Sequence, residues 1–262
     1  MSRFERYKDA FRTIRLDRSE DGVLEMTFHT EGRSWTWDRA GIARGDLAHA
    51  CRAIARDPDN SVIIMTGTGN TFCGPAAGPR TPHARVDHHD RTQFVGTHRM
   101  LDILDFPGPV ISCINGPVLR HPELPFIADI VLAAEDASIA DSAHVSNRLV
   151  PGDGVAVLFP FLMPGNRGRY FHWTGETLSA HELRDMGLVN EVHPRERLIG
   201  RARELAAALV AHDPVVLRST RRLLTAPLRT LLREHLHRGH TYEGLAAVDE
   251  AFAARPVIQR PS

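Results

Sequence analysis

A chain of 262 residues with 42% hydrophobic content is long enough to bury a substantial core as one α/β domain. Lys+Arg and Asp+Glu both number 32, so the formal net charge is zero, and no basic run interleaved with aromatics offers a track for nucleic-acid phosphates. Lys8, in a polar N-terminal segment, is the sole lysine, which excludes Schiff-base chemistry on a core lysine.

Cys51, Cys73 and Cys113 form an odd set without metal-ligand spacing, each in an apolar or small-residue context, as expected in a reducing cytoplasm. MSRFERYKDA lacks an apolar signal core, and no segment approaches the roughly 18 apolar residues of a membrane span. The expectation is a soluble cytoplasmic protein with neither membrane nor nucleic acid as partner.

Residues 12–17 and 23–29 alternate apolar and polar around the turn SEDG, which predicts an antiparallel hairpin. From about Asp38, the residues Ala43, Leu47, Ala50, Cys51 and Ile54 follow helical spacing until DPDN stops them. SVIIMTG reads as a buried strand entering the loop GTGNTFCGPAAGP, which lacks the spacing and terminal Lys of a phosphate-binding loop. The next stretch carries His83, His88, His89 and His98, in no standard zinc pattern, and is read as a loop leading into a helix over Phe94 to Leu104. No metal and no cofactor is expected.

PGPVISCING reads as a strand and turn. RHPELPFIADI then suggests a helix with Pro122 at its first position, which would set His121 and Glu123 at a helix start able to hold an oxyanion. DIVLAAE and ASIAD read as short strands, and PGDG as the start of a helix over VAVLFPFL that ends before MPGNRGRYFHWTG. Between Asn115 and Gly154 lie two histidines, His121 and His144, and two acids, Glu123 and Asp153, in irregular segments between apolar runs. A histidine titrates near neutral pH, and a carboxylate can fix its tautomer, so His144 and Asp153 could form a water-activating dyad. The alternative is a satisfied loop histidine and a helix N-cap.

SAHELRDMGLVNEV reads as helix, glycine, strand, and from Arg195 onward the chain is helical, with Leu198, Ala202, Leu205 and Leu209 on one face. Interruptions are expected at Asp213-Pro214 and Ala226-Pro227. In the last helix a stripe of Leu228, Leu232, Leu236 and Gly239 steps onward to Glu243, an acid where the apolar face should continue. Either the helix emerges into solvent there or the carboxylate serves a site.

The order SVIIMTGTGNTFC, PVISCINGPV, DIVLAAEDASIAD, LVPGDG, TGETLSAHELRDMGLVNEV resembles the crotonase (enoyl-CoA hydratase/isomerase) superfamily over roughly residues 12 to 252. That resemblance implies an α/β fold: a spiral of ββα turns over residues 1–197 and a C-terminal helical trimerisation region over 198–262, often assembled as a dimer of trimers. The coenzyme A thioester motifs of that family are altered here. Phe72-Cys73-Gly74-Pro75-Ala76-Ala77 has proline for glycine and lacks the acid, and Asn115-Gly116-Pro117-Val118-Leu119-Arg120-His121-Pro122 has lost the glycine triplet whose amides form the oxyanion hole. Glu123 falls on one hydratase glutamate only if a one-residue deletion is taken, and the other falls near Ala143 or His144.

HTEGRSWTW, NGPV with PELP, LVPGDG, GNRGRYF and EGLAAVD are similar to the 6-oxocamphor hydrolase branch, which cleaves a carbon–carbon bond in bicyclic β-diketones without coenzyme A. By this resemblance His144 and Asp153 are the water-activating dyad, His121 contacts a substrate carbonyl, Glu243 is an active-site acid and Trp37 lines the pocket. Arg44 replaces an expected histidine, and with Ala76 and Glu123 it is placed among the substrate-binding residues. The expected reaction is attack of water on one carbonyl with neutral His144 as base, followed by expulsion and protonation of an enolate to give a keto acid. A crotonase-type acyl-CoA hydratase, isomerase or thioesterase, a carbon–carbon lyase or cyclase, and a non-catalytic binding protein of this fold are the alternatives.

Overall fold

The computed structural model describes residues 1–38, 41–77, 100–147 and 149–248. Its centre is a six-stranded sheet in the order β1-β2-β4-β6-β7-β10, formed by Ile14–Arg18, Val23–Phe28, Val62–Gly67, Val110–Ile114, Ile130–Ala134 and Glu191–His193. The β1–β2 pair is antiparallel and the other pairs are parallel. β6 is buried at every residue and β4 at all but Thr66, as the apolar runs VISCI and VIIMTG require of interior strands covered on both faces.

A second layer carries β3 (Thr36–Asp38) on β5 (Gly74–Ala77), and β8 (Ser138–Ala140) on β9 (Thr177–Ser179). Val118 stitches these pairs together by bridges to Cys73 and Ile139. Asn115 secures the end of β6: its Oδ1 accepts from the Gly67 amide at 3.0 Å and its Nδ2 donates to the Gly69 carbonyl at 2.9 Å. α1 (Arg3–Tyr7) opens the chain, and α2 (Ile42–Ala55) buries Ala43, Leu47, Ala50, Cys51 and Ile54, the face its spacing predicts. Residues 100–104 are helical and are called α3. The segment with His83, His88, His89 and His98 lies outside the described residues.

α4 (Val155–Leu162) begins directly after Gly154, whose φ of 106° is a left-handed conformation suited to glycine. The chain then departs from expectation, because MPGNRGRYFHWTG contains a further helix, α5 (Arg167–Thr174), which packs on α4 and buries Phe171 and His172. RHPELPFIADI also differs. Only Leu124–Ile127 turns, as a short 3-10 segment, because Pro122 and Pro125 remove amide donors and β7 must begin at Ile130 to pair with Ile111. His121 and Glu123 therefore do not stand at the start of an α-helix.

α6 (Ala180–Asp185) is held by a capping box between Ser179 and Glu182. α7 (Arg195–Val210) lies on β4, β6 and β7 with Leu198, Ala202 and Ala206 buried. The expected break at Pro227 does not occur, since α8 runs from Pro214 to Val248. The carbonyl that loses its partner there belongs to exposed Leu223, where water can serve it. Nearby, the buried Arg221 anchors the helix to Asp129 at 2.6 Å and to the Leu104 carbonyl at 3.0 Å. Among the described residues no helix is long and apolar enough to cross a membrane.

Candidate active site

The polar residues of the central stretch converge into one buried line. Asp141 follows β8, and its Oδ1 accepts the Ala143 amide at 3.1 Å. His144 comes one short turn later, only 2% exposed, with its Nδ1 at 2.8 and 2.9 Å from the two Asp141 oxygens. A carboxylate only accepts, so Nδ1 carries a proton and Nε2 faces the other way. There it meets Asp153 Oδ1 at 3.5 Å. The other oxygen of Asp153 lies 3.3 Å from His121 Nδ1, which also donates to Glu123 Oε1 at 2.9 Å. The sequence reading of Asp153 as the orienter of His144 is thus corrected: Asp141 holds the imidazole, and Asp153 lies across its free edge, between the two histidines.

His121 has φ of 50°, uncommon for a residue with a Cβ and costing about 1 kcal/mol. Its contacts with Glu123, Asp153 and the Trp37 ring, at 3.9 Å between ring centres, hold it there. A glycine would take this backbone without strain, but only histidine brings an imidazole to Asp153. The ligand atoms of His121, Glu123 and Asp153 lie within 4.8 Å of one another, close enough to hold a cation.

The charges explain the protonation. Burial opposes a charge on His144, but the Asp153 carboxylate, the hydrogen bond and charge of Asp141, and Glu243 together raise its pKa from 6.5 to about 9. Burial also disfavours the charged form of Asp141, yet the hydrogen bond from His144 and the nearby His172 ring hold its carboxyl well below the usual carboxylate range.

The remaining expected residues sit around this line. Trp37 pairs across β3–β5 with Ala76, and the Arg44 guanidinium lies 5.9 Å from the centre of the Trp37 ring. Glu243 is half-buried on α8, with Oε2 3.6 Å from His240 Nδ1. Its approach to the site depends on a backbone contact: a Cβ on Gly152 would collide with the Gly239 carbonyl oxygen and come within 2.7 Å of Glu243 Cβ. The stripe of Leu228, Leu232 and Leu236 is buried, so this acid continues an inward face. Asp153 does not cap α4, whose N-cap is Gly154.

The sequence profile of the enoyl-CoA hydratase/isomerase family matches residues 18–243. The chain belongs to that family. It is similar to carnitinyl-CoA dehydratase of Salmonella paratyphi A, 31% identical over 207 residues that span 78% of this chain and 77% of the relative. A putative enoyl-CoA hydratase/isomerase, YngF of Bacillus subtilis (strain 168), is 31% identical over 64% of this chain, and the match spans just under two thirds (65%) of that relative's length. Among solved structures, a beta-diketone hydrolase from the cyanobacterium Anabaena sp. PCC 7120, bound to (S)-3-oxocyclohexyl acetic acid, superposes with a TM-score of 0.89 at 34% identity over 95% of this chain and 98% of that one. An enoyl-CoA hydratase from Mycobacterium avium subsp. paratuberculosis K-10, at 22% identity and a TM-score of 0.77, shares the crotonase fold.

Within this enoyl-CoA hydratase/isomerase family member, two site residues escaped the sequence reading. Asp141 stands three positions before His144 and was read only as the end of a strand; the Asp-x-x-His spacing was the available signal. His172 lies on the unexpected helix α5, with Nδ1 3.6 Å from Asp141 Oδ2. No local pattern marks it.

Proposed function

We propose that the protein hydrolyses a carbon–carbon bond in a cyclic or bicyclic β-diketone to give a keto acid, without coenzyme A. The observation that carries this reading is Asp153, buried between His144 Nε2 and His121 Nδ1 behind Trp37. The likeness to a beta-diketone hydrolase at 34% identity supports it. So does Pro122, which lacks an amide where a thioester oxyanion hole would use one.

A β-diketone contains its own electron sink, since breaking the bond to the shared α-carbon leaves the enolate of the second ketone. Water attacks one carbonyl and gives a proton to Asp153. The carboxylates around His144 favour its charged form, and an imidazolium there holds Asp153 in place; in this proposal the His144–Asp153 pair takes the proton with the carboxylate as acceptor, in place of the neutral imidazole expected from the sequence. His121 or a nearby backbone amide stabilises the tetrahedral oxyanion, collapse expels the enolate, and Asp153 or Glu243 returns a proton to carbon. Trp37 stands against His121, and Arg44 against Trp37.

The test is a panel of cyclic diketones followed by mass spectrometry for the gain of one water on ring opening. Ring-opened acid formed by the wild type and lost in His144→Ala supports the reading, and saturable binding of acyl-coenzyme A with no ring opening would overturn it. For assembly, the exposed Val215, Val216, Leu223 and Leu224 of α8 support a homotrimer or dimer of trimers, which light scattering measures.

A further inference from the structure

Asp141 places both oxygens on one His144 N–H. A carboxylate that shares a single donor in this way can pivot unless other groups fix it. The Ala143 amide anchors Oδ1 at 3.1 Å, and the group standing against Oδ2 is His172, 3.6 Å away and 8% exposed.

The tautomer of His172 is set by its other nitrogen. Nε2 lies 3.0 Å from the Val155 carbonyl oxygen, which only accepts, so Nε2 carries a proton. Nδ1 has no hydrogen-bond partner, and its nearest acceptor is the Asp141 carboxylate. In a neutral ring Nδ1 would turn a lone pair toward a carboxylate oxygen, which is repulsive. In the imidazolium it turns an N–H there, which is attractive. On its other sides His172 faces the Phe159 and Phe171 rings, at 5.9 and 5.5 Å between centres. The charged groups around the His144 end are Asp153 and Glu243, with His121 and Glu123 beyond Asp153.

We propose that His172 is a positioning residue for His144: as an imidazolium it pins Asp141 through Oδ2 and so keeps the carboxylate on His144 Nδ1. α5 thereby fixes the angle at which His144 meets Asp153. The inference rests on the reading of His144 and Asp153 as the hydrolytic pair, and its test includes a signal independent of turnover.

Two variants separate the two nitrogens. His172→Gln keeps an amide near the Nε2 position for Val155 and offers nothing to Asp141, whereas His172→Asn keeps an amide near Nδ1 for Asp141 and gives up Val155. His172→Gln is expected to lower kcat about tenfold with KM within about twofold, and to expose the His144 Nδ1–H resonance to rapid solvent exchange. His172→Asn is expected to recover at least half of that loss and to keep the resonance protected. If His172→Gln retains wild-type kcat and protection, or His172→Asn falls as far as His172→Gln, the positioning role is wrong. Should both variants unfold, nitrogen spectra of the wild-type imidazoles decide: two protonated ring nitrogens on His172 in the folded protein support the proposal, and a neutral Nε2–H tautomer overturns it. If the wild type opens no diketone, the functional reading fails while the resonance comparison still judges His172.

Discussion

Asp141→Asn replaces the carboxylate on His144 Nδ1 with an amide of the same shape. The His144 pKa rises from 6.5 to about 9 in the folded protein, so the charged form contributes stability that is complete below pH 6.5 and lost as pH climbs through about 9. At roughly 1.4 kcal/mol per pKa unit, the whole rise corresponds to about 3 kcal/mol, of which Asp141 supplies a share beside Asp153 and Glu243. Removing one member of a buried pair costs about 3–5 kcal/mol, and an asparagine carbonyl still able to accept from Nδ1–H places this variant at the low end. Urea denaturation at about pH 6, 7.5 and 9.5 reads the effect. The gap between wild type and variant should be about 3 kcal/mol at the acid end and narrower at the alkaline end. Parallel pH curves for the two proteins would refute the argument, because His144 would then not owe its proton to Asp141.

The same ionisation predicts that kcat falls above about pH 9, where His144 loses the charge that holds Asp153. A rate that climbs from neutrality to that pH would return the base role to neutral imidazole. Asp153→Asn should lower kcat by about 10²- to 10⁴-fold and leave KM nearly unchanged, as steady-state kinetics will show. Gly239→Ala sets a Cβ 2.5 Å from the Gly152 carbonyl oxygen and should cost about 1–3 kcal/mol in denaturant unfolding. Arg44→His exchanges a fixed charge near Trp37 for a group that can shed its proton at neutral pH, and should raise kcat/KM for uncharged bicyclic diketones about tenfold.

The interior strands were legible because burial on both faces demands the unbroken apolar runs SVIIMTG and PVISCI, and α2 because one face alternates at helical spacing. The stripe Leu228, Leu232 and Leu236 is buried as its spacing requires, whereas the spacing left Glu243 open between solvent and site. Local rules failed where long-range packing decides. Pro227 reads as a break, yet the Arg221 anchor and an exposed carbonyl let α8 continue. MPGNRGRYFHWTG carries no helical reading in the sequence, yet Phe171 and His172 bury a helix against α4. The family resemblance brought His121, His144, Asp153 and Glu123 to one region, but which oxygen faces which nitrogen depends on the turn after β8, and Asp141 took the place expected of Asp153.

The touching backbones of Gly152 and Gly239 tie the loop of the candidate site to the last helix of the chain. The loop that presents Asp153 meets α8 backbone to backbone at Gly152, so part of its support is a helix synthesised much later. A nascent or truncated chain lacking that helix would carry both histidines and still be without a defined acceptor for the water proton. If the proposed hydrolysis holds, a chain without α8 should therefore show none of it.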